Sequence, residues 1–175
     1  MPYIRLDAPR ILSRPDLPPE LTRFYAQHEG AGLSNEPYCI VRICRLDEVS
    51  PISGRDLHIL GKENCPEGWE RFAGFRIGLS SFFDEIVYVL AAPSCPTGAI
   101  LTLGVDVAGP GGSGPAALES SLVLAPSFDA WRHHLQQTSG VEYGLAPGAL
   151  ADLPEAQQCE LRQYYKSLNP GITWA

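Results

Sequence analysis

The chain lacks the residue groupings on which most catalysis and metal binding depend. Its five cysteines, Cys39, Cys44, Cys65, Cys95 and Cys159, are odd in number and scattered. They form no C-x-x-C pair and no spacing suited to zinc, which argues against a structural metal or a disulfide framework. Reduced, mostly buried thiols are expected, and with them a cytoplasmic protein. No stretch is long and apolar enough for a signal peptide or a membrane span, so a soluble chain is expected. Ser80 and Ser81 have no G-x-S-x-G elbow around them. The run Gly109-Pro110-Gly111-Gly112-Ser113-Gly114-Pro115 lacks the Gly-Lys-Ser/Thr ending of a phosphate loop and reads as a linker. His133 and His134 are adjacent on a helix pattern, so they face different directions and cannot make an i, i+4 metal pair; surface or helix-end positions are expected for them. The neighbouring carboxylates Asp47-Glu48 and Asp84-Glu85 should point apart rather than form a dyad. No catalytic residue, cofactor or metal site is expected.

Positive charge is the next absence. The formal net charge is -7, which disfavours nucleic acid and anionic membrane as partners. Between Arg76 and Arg132 there is no lysine or arginine, yet Asp84, Glu85, Asp106, Glu119 and Asp129 all lie there. Unscreened steering reaches about 8 Å at physiological salt. A face built from this segment would hold a negative potential, serving either solubility or docking.

What is present is the size and patterning of a folded domain. The 175 residues suffice for one hydrophobic core, and 17 glycines and 16 prolines imply many turns. Residues 1–15 carry Pro2, Pro9 and Pro15 and read as a loose arm. Asp16 is placed to cap a helix whose first turn takes Pro18, Pro19 and Glu20. Leu17, Leu21, Phe24, Tyr25 and His28 make its apolar stripe, and Gly30 supplies a left-handed stop, with His28 near the C-terminal end of the dipole. Tyr38–Ile43 reads as a strand, residues 46–49 as a short turn or bridge, and residues 57–60 as a second short strand. Residues 64–68 are loop chemistry, with Trp69 anchoring the far side. Phe75, Ile77 and Leu79 alternate with Arg76 and Gly78, and Ile86-Val87-Tyr88-Val89-Leu90 is strongly β-prone, so the two form a hairpin. Residues 100–107 make another strand and residues 122–124 a short one. Ser127 opens a helix with Phe128, Trp131 and Leu135 on one face and Gly140 as its stop. Asp152 caps a third helix carrying Leu153, Leu161, Tyr164, Tyr165 and Leu168, ended by Asn169-Pro170-Gly171.

These elements imply an α+β fold: a mostly antiparallel sheet of four or five strands with helices on one face. Residues 1–140 form the domain with its arm, and residues 141–175 a C-terminal helical appendage. The oligomeric state stays open between monomer and homodimer.

The order of elements over residues 15–137 resembles the SUKH superfamily, which includes the yeast Smi/Knr cell-wall synthesis regulator and many bacterial immunity proteins. The resemblance rests on Leu17-Pro18-Pro19-Glu20-Leu21 leading to Phe24-Tyr25. It continues with Phe75-Arg76-Ile77-Gly78 running into Ile86-Val87-Tyr88-Val89, and with Ala125-Pro126-Ser127-Phe128-Asp129-Ala130-Trp131. Two positions depart from the family pattern. Glu29-Gly30 stands where many members have Asn-Gly, and Phe83-Asp84-Glu85 where many have a Gly-Asp step. The resemblance implies a non-catalytic immunity protein that binds and occludes a cognate bacterial toxin, such as a basic nuclease. Asp84, Glu85, Asp106 and Glu119 would be its partner-binding residues. Two other readings stand beside it: a regulatory or scaffold module of the Smi/Knr type, and an enzyme of unrecognised class.

Overall fold

A computed structural model describes residues 3–6, 14–35, 38–58, 68–80, 85–93, 95–105, 116–137 and 154–170. The strands are β1 (Tyr3–Leu6), β2 (Ala31–Asn35), β3 (Tyr38–Ile43), β4 (Ser50–Ser53), β5 (Leu57–His58), β6 (Ala73–Ser80), β7 (Glu85–Ala91), β8 (Ile100–Val105) and β9 (Ala116–Ala125). The helices are α1 (Pro19–Tyr25), α2 (Phe128–Gln137) and α3 (Glu155–Leu168). The strands form one sheet in the order β1-β2-β3-β6-β7-β8-β9-β5, with β4 also on β6. Every pairing is antiparallel except β5 with β9. The α+β class and the β6–β7 hairpin agree with the sequence reading, whereas β2 and β4 had no clear signal in it.

The N-terminal segment is not a loose arm throughout, because Tyr3–Leu6 pairs with β2 as an edge strand. The predicted ends of the first helix also move inward. Its N-cap is Pro18, with no side-chain cap. Asp16 instead takes two hydrogen bonds from Arg14, at 2.9 and 2.8 Å. The Arg14 guanidinium holds the Asp16 carboxyl below its ordinary value. The helix ends at Tyr25, capped by Ala26 in an ordinary right-handed conformation. Gly30 is therefore not a helix stop. Among the described residues the glycines with positive φ are Gly68 and Gly98. Gly30 is needed for close approach, since a Cβ there would lie 3.0 Å from the Ile43 carbonyl and 3.2 Å from that of Cys44. His28 lies beyond the helix with its ring against Phe24, centroids 5.3 Å apart.

β3 and β4 lie on the same side of β6. β3 pairs with Gly78 to Ser80 and β4 with Ala73 to Arg76. Between them residues 45–49 make the expected turn, closed by Val49 N–H to Arg45 O (3.2 Å). Arg14 pins the turn from outside through the carbonyls of Val49 (3.0 Å) and Leu46 (3.4 Å). Asp47 lies 3.6 Å from the Arg45 guanidinium, while Glu48 reaches Arg42 at 2.9 Å and accepts from the Arg45 N–H at 2.8 Å.

The path from β4 to β5 forces the sheet to curl. Three residues, Gly54–Asp56, separate the two strands, a connection that spans about 14 Å when fully extended. In a flat sheet β4 and β5 would stand five strand spacings apart, about 24 Å. The sheet therefore wraps, and Gly54–Asp56 joins β4 to β5 across the opening of the curl. Ile52, Leu57, Trp69 and Phe72 fill the inside of the curl against Val87, Val89, Ala99, Leu101 and Leu103. Trp69 is buried, as its anchoring role requires, and stacks on Phe72 at 5.4 Å. The other face carries Phe75, Ile77, Ile86, Tyr88, Ile100 and Leu124, covered by the helices through Leu21, Phe24, Phe128, Trp131, Leu135, Leu161 and Tyr165. Strands buried on both faces read as continuous apolar runs, which is why β7 shows Ile86-Val87-Tyr88-Val89 without alternation.

Side chains fix the helices in place. Tyr25 donates to the Cys44 carbonyl at 2.9 Å, and burial pushes its phenol far above the ordinary value. Ser127 opens α2 as read, its Oγ accepting from Ala130 N–H (3.1 Å). Glu20 of α1 accepts from Phe128 N–H (3.3 Å), so one helix caps the next. α3 begins after Pro154 with no side-chain cap, and Asp152 and Leu153 lie outside the described residues, as does Gly140. Its Leu161 and Tyr165 enter the same core as α1 and α2. β5 is two residues long, and β9 is ten residues rather than the short strand expected.

Candidate interaction surface

The strand registers bring distant parts of the cation-free segment to one end of the sheet. Leu79 pairs with Glu85, Glu85 with Leu103, and Val105 with Ala116, which in turn pairs with Leu57. The ends of β6 and β8 and the starts of β7 and β9 thus coincide. Asp84 and Asp106 lie outside the described residues, in sequence immediately beside Glu85 and Val105 at this end. Glu119 falls in an irregular stretch of β9. Thr102 and Gly104 of β8 pair with Leu122 and Ala117, so the strands fall out of step between those pairs.

Glu85 is not a lone anion. Arg76 Nε lies 2.8 Å from each of its carboxylate oxygens. Both side chains are largely withdrawn from solvent, at 31% and 19% exposure. Its neighbours Ile86 and Tyr88 face the helices and Val87 and Val89 the inside of the curl, so alternation puts Glu85 on the inner face. The cation at the edge of the cation-free segment therefore folds back onto its first described carboxylate. Asp129 leaves the acidic set for a similar reason. It stands on α2, 3.4 Å from Arg23 and 3.7 Å from Arg132.

Sequence reasoning missed the contacts of His134. Rather than a surface residue, it is half-buried and stacks on Tyr164 at 4.5 Å, with Nε2 3.0 Å from the Tyr165 hydroxyl. Burial, reinforced by neighbouring His133, lowers its pKa from the ordinary 6.5. His133 points elsewhere, to Gln137 at 2.8 Å, so the divergence expected of adjacent helix residues holds. The aromatic residues Tyr164 and Tyr165 at helical spacing from Leu161 were the available signal. The thiols also differ from expectation: Cys44 is buried, but Cys95 is half-exposed and Cys159 exposed. Burial pushes the Cys44 thiol up.

Among the described residues no group of three or more His, Cys, Asp or Glu side chains gathers as metal ligands. No helix among them is long and apolar enough to cross a membrane. Comparison with protein-family models, curated proteins and solved structures finds no match.

Proposed function

We propose that this chain is an immunity protein that binds a cognate bacterial toxin with a basic surface and occludes it. One observation carries the reading: the sheet gathers the flanks of Asp84 and Asp106, together with Glu85, at one end of an acidic chain. An anionic strand end suits a cationic substrate groove, where charge accelerates encounter and a few anchors set specificity. Because Arg76 engages Glu85, the working charges in this reading are Asp84, Asp106 and Glu119. The resemblance in element order to SUKH immunity proteins points the same way.

Co-expression with the toxin encoded beside this gene tests the proposal. Rescue of growth and co-purification are expected; survival equal to an empty vector, with no co-purification, overturns it. Replacing Asp84 and Asp106 with lysine should slow toxin association and flatten its salt dependence. Asp129→Lys, on the helix side, should change association less. Equal effects would move the docking surface to the helices. A toxin-free gene neighbourhood with stable capture of a housekeeping complex would favour a regulatory module.

A further inference from the structure

α3 ends on a strand edge that over residues 120–125 carries no charge or proline to oppose pairing. Asn169, which caps the helix, occupies both main-chain groups of Val123. Val123 N–H donates to Asn169 Oδ1 (2.8 Å), and Asn169 Nδ2 donates to Val123 O (2.9 Å). One acceptor and one donor at these distances reproduce what the peptide group of an adjacent strand would offer. The two groups of Val123 therefore point away from β8, toward the side where, among the described residues, β5 pairs with Ala116 and Ala117. Asn169 is itself buried, and its Nδ2 also donates to Tyr165 O (3.0 Å), which fixes the amide on the helix end. Tyr164 adds a bond from its hydroxyl to the Leu124 carbonyl (3.2 Å). Leu124 is the extra residue of a bulge, because Ile100 and Leu101 of β8 pair with Ala125 and Val123.

The strand beneath this contact is Ser120-Ser121-Leu122-Val123-Leu124-Ala125. It has no charge, proline or glycine, so the bulge at Leu124 is the one device of its own that blunts the edge. Short, uncharged, β-prone segments of this kind pair readily with copies of themselves. We propose that α3 is an edge guard: by lending the Asn169 amide to Val123 it keeps β9 of one copy from pairing with β9 of a second. The occupant excluded is a second copy of this chain, because the run is uniformly uncharged and two such runs meet without like-charge repulsion in antiparallel register. The proposal stands apart from the toxin reading and survives its failure.

The test is Asn169→Ala in the full chain, followed by light scattering over a concentration series. The mass should rise above that of the wild type toward a dimer of the wild-type species as concentration increases. Adding Ser121→Lys to that variant should restore the wild-type mass, since a lysine on the edge opposes pairing. A folded Asn169→Ala chain whose mass follows the wild type at every concentration overturns the proposal. So does association that Ser121→Lys leaves untouched. Should Asn169→Ala fail to fold, native-state hydrogen exchange of the wild type decides. Exchange of the Val123 amide together with the α3 amides, by an opening smaller than global unfolding, supports the guard; exchange only on global unfolding overturns it.

Discussion

The two faces of the sheet are buried by different means. On one, three helices insert large side chains, with Trp131, Phe128, Leu21 and Tyr165 all fully buried. On the other, the sheet closes on itself: Gly54–Asp56 joins β4 to β5, and Ile52, Leu57, Trp69 and Phe72 pack against the inner side chains of β7 and β8. Both faces are filled by buried side chains, and at Gly54 the inner face also brings main chain against main chain. A Cβ on Gly54 would sit 2.5 Å from the Trp69 carbonyl, so no larger residue fits without backbone movement. The helix face should therefore fail when atoms are removed, and the Gly54 connection of the inner face when they are added.

Removing volume from the helix face gives the largest expected effect. Trp131→Ala should cost about 3–5 kcal/mol in urea denaturation followed by circular dichroism. A loss below about 1 kcal/mol, the scale of a mild core swap, would break the comparison. Adding one methyl to the inner face comes next. Gly54→Ala should cost about 1–3 kcal/mol through overpacking, and an unchanged midpoint would mean the curl is slack there. Thr102 tests the same face-by-face logic with the sign reversed. It lies on the helix side of β8, 3% exposed, and its hydroxyl has no hydrogen-bond partner among the described residues. Thr102→Val should stabilise by about 1 kcal/mol by removing that unmet polar group, raising the melting temperature by about 2–4 °C for a chain of this size.

Protonation probes the contact between α2 and α3. His134 and His28 both titrate below the ordinary 6.5, each chiefly through burial, with His133 and Arg132 respectively adding to it. The unfolded chain then binds more protons just below pH 6.5, so their contribution to stability is complete above that value and lost as pH falls toward the folded pKa values. His134→Gln should flatten, without abolishing, the slope of stability against pH in this window. An unaltered slope would assign the proton uptake to His28. The smallest effect is expected at Asp16. As a helix cap its loss would be measurable, but as an exposed partner of Arg14 its replacement by alanine should leave the melting temperature unchanged.

Legibility in the sequence followed the same division. The helix face was readable because Leu21, Phe24 and Tyr25, then Phe128, Trp131 and Leu135, recur at helical spacing, and all six are buried. The inner face was not. β5 has two residues, too few for any period, and β4 contains Pro51, which demotes a strand reading. Helix caps were misread because Asp16 and Gly30 have the right residue types at plausible distances, while the local competition from Arg14 and the close approach of β3 arise only in three dimensions. Of the candidate site, the acidic segment was visible and the convergence of its strand ends was implicit in the hairpins. The Arg76–Glu85 pair was hidden by the assumption that a stretch without cations has none beside it in space.

The contact between Glu20 and Phe128 has a consequence for how the chain reaches this state. It joins residues 108 positions apart, and the Asn169–Val123 pair spans another 46. During synthesis α1 emerges long before the helix it caps, and β5 before the β9 strand it must join. The first half of the chain therefore leaves the ribosome with apolar surface that only the last half can cover. Such long-range closure makes folding slow and concentrates misassembly in the interval before β9 arrives.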